Sequence, residues 1–223
     1  NNNKITLNLL EAVRKLNIKP LIILCSSSEV YGNVNKKDQP IKENQLMGPL
    51  SPYAVSKSFQ DLLSQVYQKS YGLKIIITRM FSYTNGRRYN LFQSSFAKQI
   101  VEIENNKTKI LFHGNLKSLR SIIDIDDAME AYWLTAKRGK IGEIYNIGGN
   151  KSISVKEALE YLINFSYKKI YTQQDKKLIR VKDINLQIPS SKKFRKHTSW
   201  KPKVSIKNSL FRLLVNERKK FKK

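Results

Sequence analysis

Two short apolar runs with a long amphipathic segment between them restrict the possible folds of this chain more than any other feature. The runs cover residues 21–25 and 74–81, and the helical segment opens near Pro52 and ends at Gly72. Short apolar runs of this kind are typical of buried parallel strands. The segment between them repeats apolar residues at helical spacing, namely Phe59, Leu62, Leu63, Val66 and Tyr67. Strand, helix and strand in this order predict an α/β fold with a parallel sheet.

The rest of the chain continues this alternation. The first helix is expected to carry an apolar face formed by Leu7, Leu9, Leu10, Ala12, Val13 and Leu16. Periodicity predicts further helices over 92–104, 126–137, 155–165 and 205–219, and strands over 109–112, 121–124 and 143–148. Asp126 and Ser154 are expected as N-caps, with Glu157 completing a capping box.

The net charge is +25, and it is unevenly distributed. Residues 151–223 hold 21 Lys and Arg against 5 Asp and Glu. Such a balance suggests a polyanionic partner. The chain nevertheless has no zinc-finger spacing, RNA-recognition motif or basic heptad repeat. Most lysines punctuate amphipathic helices, so solvated helix faces are the favoured explanation and nucleic-acid binding is disfavoured.

Other residue types exclude several classes of protein. No apolar run approaches the roughly 18 residues that a membrane-spanning helix needs, so no membrane partner is expected. The single Cys25 falls in the first strand, where it is expected to be a small buried residue, and one cysteine forms no disulfide framework. His113 and His197 are far apart and lack acidic neighbours, so no metal site is predicted.

Tyr53 and Lys57 form a Y-x-x-x-K pair in the central helix. Residues four apart lie on the same helix face. An ammonium beside a phenol favours the phenolate and lowers the tyrosine pKa, so Tyr53 could pass a proton near neutral pH. Alone, the pair is more often a solvated tyrosine and a surface lysine. The serines that follow the first strand favour a site, because open α/β sheets bind ligands at the carboxyl ends of their strands.

Longer motifs surround this pair. Residues 26–32 read S-S-S-E-V-Y-G, residues 51–57 read S-P-Y-A-V-S-K, and residues 79–88 read R-M-F-S-Y-T-N-G-R-R. Residues 95–100, 142–148 and 193–202 add further matches. Over nearly its whole length the chain resembles the extended short-chain dehydrogenases/reductases of the nucleotide-sugar epimerase/dehydratase family. The resemblance implies a Rossmann-like, doubly wound parallel sheet with a small α+β substrate-binding domain.

The resemblance also implies hydride transfer between a nicotinamide, NADP or NAD, and C4 of a nucleotide-bound sugar. Tyr53 would protonate the C4 alkoxide, Lys57 would lower the pKa of Tyr53 and hold the nicotinamide ribose, and Ser27 would hydrogen-bond the C4 oxygen. Glu29 stands where 4,6-dehydratases place the base that removes the C5 proton.

Binding roles complete the expected site. The cofactor would contact Ser26 and Phe81 besides the catalytic tyrosine and lysine. The residues expected to bind substrate are Ser28, Ser82, Arg88 and Arg120. The two arginines are expected on the sugar diphosphate, because guanidinium groups fork onto phosphate oxygens.

Several activities stay open within this family. Residues 95–100 and Trp200-Lys201-Pro202 favour reduction of the C4 keto group of a GDP-4-keto-6-deoxy-D-mannose. GDP-mannose 4,6-dehydration, nucleotide-sugar 4-epimerisation and a truncated, non-catalytic nucleotide-sugar-binding role are the alternatives. The chain departs from the family at Met80, Ser82 and 120–122, where the family has Pro, Asn and R-D-F.

The family's glycine-rich turn, which cradles the cofactor pyrophosphate, is absent from this sequence. Asn1 falls inside what resembles the family's fourth helix, so about three βα units are expected to be missing. Residues 1–88 are expected to be the remaining NAD(P)-binding domain, with strands near 121–124 and 143–148 packed on it. Residues 89–120 and 149–223 would form the substrate-binding domain, with 173–191 as a loop over the substrate. The helix of Tyr53 resembles the family's dimer helix, so a cytoplasmic homodimer is expected.

Overall fold

A computed structural model of the chain describes residues 1–179 and 184–222. The helices are α1 (Asn2–Lys15), α2 (Pro52–Tyr71), α3 (Phe92–Glu104), α4 (Ile125–Arg138), α5 (Val155–Asn164), α6 (Lys192–Thr198) and α7 (Ile206–Phe221). The strands are β1 (Ile22–Ser27), β2 (Ile75–Met80), β3 (Ser82–Tyr83), β4 (Ile110–His113), β5 (Leu119–Arg120), β6 (Ile122–Ile123), β7 (Ile144–Ile147), β8 (Ile153–Ser154), β9 (Tyr171–Gln174) and β10 (Leu186–Gln187).

The central sheet has three parallel strands in the order β1, β2, β7. Ser27 of β1 is paired with Met80 of β2, and Met80 is paired with Ile147 of β7. Because the strands run parallel in this register, their carboxyl ends meet at one edge of the sheet. The parallel sheet predicted from the apolar runs is confirmed.

Helices cover both faces of this sheet. Ile75 and Ile77 pack in one cluster with side chains of α1 and α2. Ile76 points the other way and packs with α4, Phe194 and Trp200. This double coverage explains why every residue of β2 is buried.

A separate cluster lies between α3, α5 and α7. Its members include Phe96, Ile100, Leu159, Leu162, Leu210 and Leu214. Smaller pairings surround it, with β5 between β10 and β8, and β4 beside β9. The division into two domains stays a prediction. Phe194 and Trp200, which the sequence assigns to the second domain, pack on the central sheet.

Local sequence signals set the ends of α2 and α5. The Ser51 Oγ accepts a hydrogen bond from the Ala54 N–H at 3.1 Å and caps α2. Gly72 ends the same helix with φ 68°, a left-handed conformation that favours glycine. Ser154 and Glu157 form the predicted capping box of α5, which is confirmed.

The predicted cap of α4 is wrong. Asp124, not Asp126, is the N-cap, and its Oδ1 accepts from the Asp126 N–H at 3.0 Å. The helix therefore begins before the position that the acidic pair suggested.

The absence of structure expected for residues 173–191 is also wrong in part. The strand β9 pairs with β4, and β10 pairs with β5. Residues 180–183 of this segment lie outside the described residues. All side chains of β9 are exposed, so the strand has no apolar pattern to reveal it.

Two burial expectations differ from the structure. Cys25 is exposed rather than buried, because it lies on the face of β1 that borders a cleft. On α1, Leu10 and Val13 are buried as expected. The other leucines of the expected face, Leu7, Leu9 and Leu16, are exposed. None of the described helices is both long enough and apolar enough to cross a membrane.

Asp127 ties α4 to the segment that follows α6. Its two carboxylate oxygens accept from the backbone N–H groups of Lys203 and Val204, both at 3.0 Å. Asp127→Ala leaves both donors without this partner, so the free energy of unfolding should fall by about 1–3 kcal/mol in urea denaturation.

Asp126→Ala is the matched control. Asp126 is the exposed neighbour of Asp127 and pairs with Arg212. Loss of a surface ion pair should lower the free energy of unfolding by less than about 1 kcal/mol. Equal losses in the two variants would contradict the structural role of Asp127.

Candidate active site

One cleft gathers every residue that the sequence assigned to catalysis, cofactor and substrate. It lies at the carboxyl ends of β1 and β2 and has a volume of about 640 Å³. The assigned residues that line it are Ser26, Ser27, Ser28, Glu29, Tyr53, Lys57, Phe81, Ser82, Arg88 and Arg120. The parallel register explains this proximity, and the individual roles stay predictions.

Ser27 and Tyr53 are in direct contact. Ser27 ends β1, and its Oγ accepts from the Glu29 N–H at 3.2 Å at the start of a 3₁₀ turn, Ser28–Tyr31. Tyr53 stands in the first turn of α2, and its hydroxyl is hydrogen-bonded to the Ser27 hydroxyl. Two hydroxyls in contact at a cleft can hold a carbonyl oxygen and pass it a proton.

The surroundings raise the pKa of Tyr53 above its usual value. Burial is the largest cause, and the nearby Glu29 and Tyr83 act in the same direction. The hydrogen bond from Ser27 and the positive charge of Arg88 act in the opposite direction. Burial prevails, so Tyr53 is neutral near neutral pH and suits the donation of a proton.

Lys57 does not perform the expected tuning of Tyr53. Its Nζ donates to the Cys25 carbonyl oxygen at 2.9 Å, and burial lowers the pKa of Lys57. The groups that lower the pKa of Tyr53 are Ser27 and Arg88. The expectation that the Y-x-x-x-K pair lowers the tyrosine pKa is therefore wrong for this structure.

Cys25 faces the cleft beside Tyr132 of α4. Burial is the main cause that holds the pKa of Tyr132 far above its usual value, and the adjacent Cys25 side chain, to which Tyr132 is hydrogen-bonded, adds to it. Sequence reasoning missed Tyr132, because a tyrosine inside an amphipathic helix carries no signal of its own.

Glu29 and Ser28 connect the 3₁₀ turn to other elements. The Ser51 Oγ donates to Glu29 Oε2 at 3.5 Å, a long contact that joins the carboxylate to the start of α2. The Ser28 Oγ donates to Gln187 Oε1 at 3.3 Å, and Gln187 Nε2 donates to the Ser28 carbonyl at 3.2 Å. Gln187 lies on β10, in the segment where sequence reasoning found no pattern.

Cationic groups line the part of the cleft beyond Tyr53. Arg88, Arg120 and Lys177 contribute them, and Glu29 is the one acidic side chain among the described lining residues. Arg120 is on β5, where its Nη1 donates to the Leu119 carbonyl at 2.9 Å. A cleft with this excess of positive charge is complementary to a diphosphate. Sequence reasoning missed Lys177, which lies in the same patternless segment as Gln187.

The remaining assigned residues lie at the ends of strands. The Ser26 Oγ donates to a carboxylate oxygen of Asp61 on α2 at 2.7 Å. Phe81 is 3% exposed and follows β2, with its N–H donating to the Ile147 carbonyl at 2.8 Å. Ser82 lies on β3 and pairs with Ile122 of β6.

Sequence similarity connects this fold and cleft to known proteins. A family model described as GDP-mannose 4,6 dehydratase matches residues 1–212. The chain belongs to this family. The match confirms the predicted membership of the extended short-chain dehydrogenases/reductases.

Two curated relatives show the range of the family. The chain is 28% identical to the GDP-6-deoxy-D-mannose reductase of Pseudomonas aeruginosa, over 94% of this chain and 69% of the relative. It is 34% identical to the dTDP-D-glucose 4,6-dehydratase of Dictyostelium discoideum, over 71% of this chain and 38% of the relative. The chain thus spans only part of the length of these relatives.

Solved structures confirm the Rossmann-like α/β fold. The structure of RMD from Pseudomonas aeruginosa complexed with NADPH matches 96% of this chain and 72% of its own, with a TM-score of 0.89 and 26% identity. The UDP-glucuronic acid 4-epimerase of Bacillus cereus, in complex with UDP-glucuronic acid and NAD, matches 98% of this chain and 68% of its own, with a TM-score of 0.88 and 28% identity.

The charges of Glu29 and Arg88 should move the pKa of Tyr53 in opposite directions. Glu29→Gln should lower this pKa, because a nearby anion disfavours the phenolate. Arg88→Gln should raise it, because a nearby cation favours the phenolate. A carbon-13 NMR titration of tyrosine-labelled protein measures the pKa, with Tyr53→Phe to assign the signal.

Arg87→Gln is the matched control. Arg87 is the exposed neighbour of Arg88 and is not among the described residues that line the cleft. It should leave the pKa of Tyr53 unchanged. Shifts of the same sign in the two cleft variants would contradict this electrostatic account.

Proposed function

We propose that the chain carries the catalytic and sugar-binding part of an NAD(P)-dependent nucleotide-sugar reductase. The proposed substrate is GDP-4-keto-6-deoxy-D-mannose, and the proposed reaction reduces its C4 keto group. The observation that carries the proposal is the Ser27–Tyr53 hydrogen bond beside Lys57, in a cleft that Arg88 and Arg120 also line. Similarity to a reductase over 94% of the chain supports this choice within the family.

The side chains of this cleft suit proton transfer to a carbonyl oxygen. The bound cofactor would supply the hydride. Ser27 would hydrogen-bond the C4 oxygen and orient it, and Tyr53 would give its proton to the forming alkoxide. The raised pKa of Tyr53 keeps that proton in place until the oxygen becomes basic.

The residues at the strand ends fit the nicotinamide end of NADP or NAD. Tyr53 and Lys57 line the cleft from α2, while Ser26 and Phe81 line it from the ends of β1 and β2. Lys57 Nζ, half-buried beside β1, would hold the nicotinamide ribose through its remaining N–H donors. The glycine-rich turn that would hold the pyrophosphate is not found in residues 1–223.

The rest of the cleft fits the nucleotide sugar. Arg88, Arg120 and Lys177 would bind the diphosphate, because arginine binds phosphate oxygens through paired N–H groups and lysine as a point charge. Ser28 and Ser82 would contact the sugar. Ser82 is shorter than asparagine, so its hydrogen bond would reach a nearer atom.

Glu29 supports dehydration as the second candidate reaction. It lines the cleft close enough to Tyr53 to raise the pKa of its hydroxyl. A carboxylate at this place could remove a C5 proton, as the resemblance to 4,6-dehydratases implies. 4-Epimerisation and non-catalytic binding of a nucleotide sugar have no comparable contact in their favour.

Activity of the full-length gene product separates these functions. With NADPH and the keto-sugar, a reductase consumes the cofactor and does not exchange the C5 proton with solvent deuterium. Tyr53→Phe should lower the rate by about 10²–10⁴-fold, because it removes the proton donor. It should leave the affinity for GDP unchanged. Exchange at C5, or dehydration of GDP-mannose, would contradict the reductase proposal.

We also propose that the chain forms a homodimer through the outer faces of α1 and α2. Exposed apolar side chains form a stripe at helical spacing along α2, consisting of Val55, Phe59, Leu62 and Val66. Ile5 and Leu9 of α1 extend the exposed apolar surface. Two packed helices with an outward apolar stripe match a second copy of the same stripe.

Light scattering after gel filtration tests the dimer. Leu62→Asp places a charge in the stripe and should convert the dimer to a monomer, because a buried unpaired charge is costly. Leu46→Asp is the matched control, since Leu46 is 83% exposed and lies outside α1 and α2. A monomeric wild type, or a dimer that survives Leu62→Asp, would overturn this proposal.

A further inference from the structure

A buried ion pair lies behind the catalytic residues and is not used in the proposed chemistry. Asp61 is 0% exposed and Arg79 is 3% exposed. Arg79 Nε donates to Asp61 Oδ2 at 2.8 Å and Nη2 donates to Oδ1 at 3.0 Å, so the pair is bidentate. Such a pair loses hydration on both charges and is retained only where its geometry is well satisfied.

Asp61 belongs to the same helix face as the catalytic side chains. It lies on α2 four residues after Lys57 and eight after Tyr53, which is one and two helical turns. Its Oδ2 also accepts from the Ser26 Oγ at 2.7 Å. Since Ser26 directly precedes Ser27, the carboxylate joins the helix of the tyrosine to the strand of the serine.

Arg79 holds the other end of the same segment. Its Nη1 donates to the Tyr31 hydroxyl at 2.9 Å, and the Tyr31 hydroxyl donates to Asn146 Oδ1 at 2.8 Å. Tyr31 ends the 3₁₀ turn that begins at Ser28. The ion pair therefore grips the segment that carries Ser27 and Glu29 at both of its ends.

We infer that Asp61, Arg79 and Ser26 are positioning residues that hold Ser27 in hydrogen-bond contact with Tyr53. This inference rests on the proposed function for its kinetic consequence. It also gives Ser26 a different role from cofactor binding, since the Ser26 hydroxyl is committed to the buried carboxylate. A displacement of about 1 Å between reacting groups can cost roughly 100-fold in rate, so a rigid clamp at this place matters.

The test removes one hydrogen bond and leaves both charges paired. Ser26→Ala deletes the bond between Asp61 and β1. Gln65→Ala is the matched control, because Gln65 Nε2 donates to Asp61 Oδ1 at 2.9 Å from the same helix and does not reach the strand. Neither charge is removed, because an unpaired buried charge would destabilise the whole fold.

The first readout is the pKa of Tyr53, measured in the 223-residue chain by the carbon-13 titration. Contact with Ser27 lowers this pKa, so loosening that contact should raise it. The other groups that act on Tyr53 are Glu29, Tyr83 and Arg88, and neither variant alters them. Ser26→Ala should raise the pKa, and Gln65→Ala should leave it unchanged.

The second readout is the kinetics of the full-length gene product. Ser26→Ala should lower kcat by about 10–100-fold with little change in either KM. A higher KM for the cofactor with unchanged kcat would assign Ser26 to cofactor binding and overturn the inference. Equal pKa values of Tyr53 in the two variants would also overturn it. If no nucleotide sugar reacts, the proposed function fails while the pKa comparison still decides the positioning role.

Discussion

The parallel register of β1, β2 and β7 is the constraint on which the site depends. It places the end of β1, with Ser27, beside the end of β2, with Met80. The Ser51 cap then starts α2 over the same edge and brings Tyr53 to Ser27. A slip of one residue in β1 would turn Ser27 to the opposite face, so the same pairing determines both the fold and the cleft.

The cleft combines an apolar support with a charged lining. The central sheet is covered on both faces, and the side chains at its edge are held by contacts that reach far along the chain, such as that of Ser28 with Gln187. Burial, rather than any single charge, dominates the state of Tyr53 and keeps its hydroxyl protonated. Arg88 and Glu29 act on it with opposite sign, so the cleft can tune the tyrosine without the lysine of its motif.

Local patterns in the sequence were sufficient where the cause of a structure is local. The bounds of α3 and the capping box of α5 could be predicted, because helical periodicity and caps involve neighbouring residues. The strands β9 and β10 could not, since they are short and depend on pairing with β4 and β5. Gln187 and Lys177 were missed with them. The direction of the Tyr53 pKa was missed because the Lys57 ammonium binds the Cys25 carbonyl, which spacing alone does not reveal.

A crystal structure of the full-length gene product with a bound GDP-hexose tests the central claim most directly. The account predicts that the sugar C4 oxygen lies about 3 Å from the hydroxyls of both Ser27 and Tyr53, within hydrogen-bond reach. It also predicts that the diphosphate contacts Arg88 and Arg120. A nucleotide sugar bound outside this cleft, or with C4 away from the Ser27–Tyr53 pair, would contradict the account.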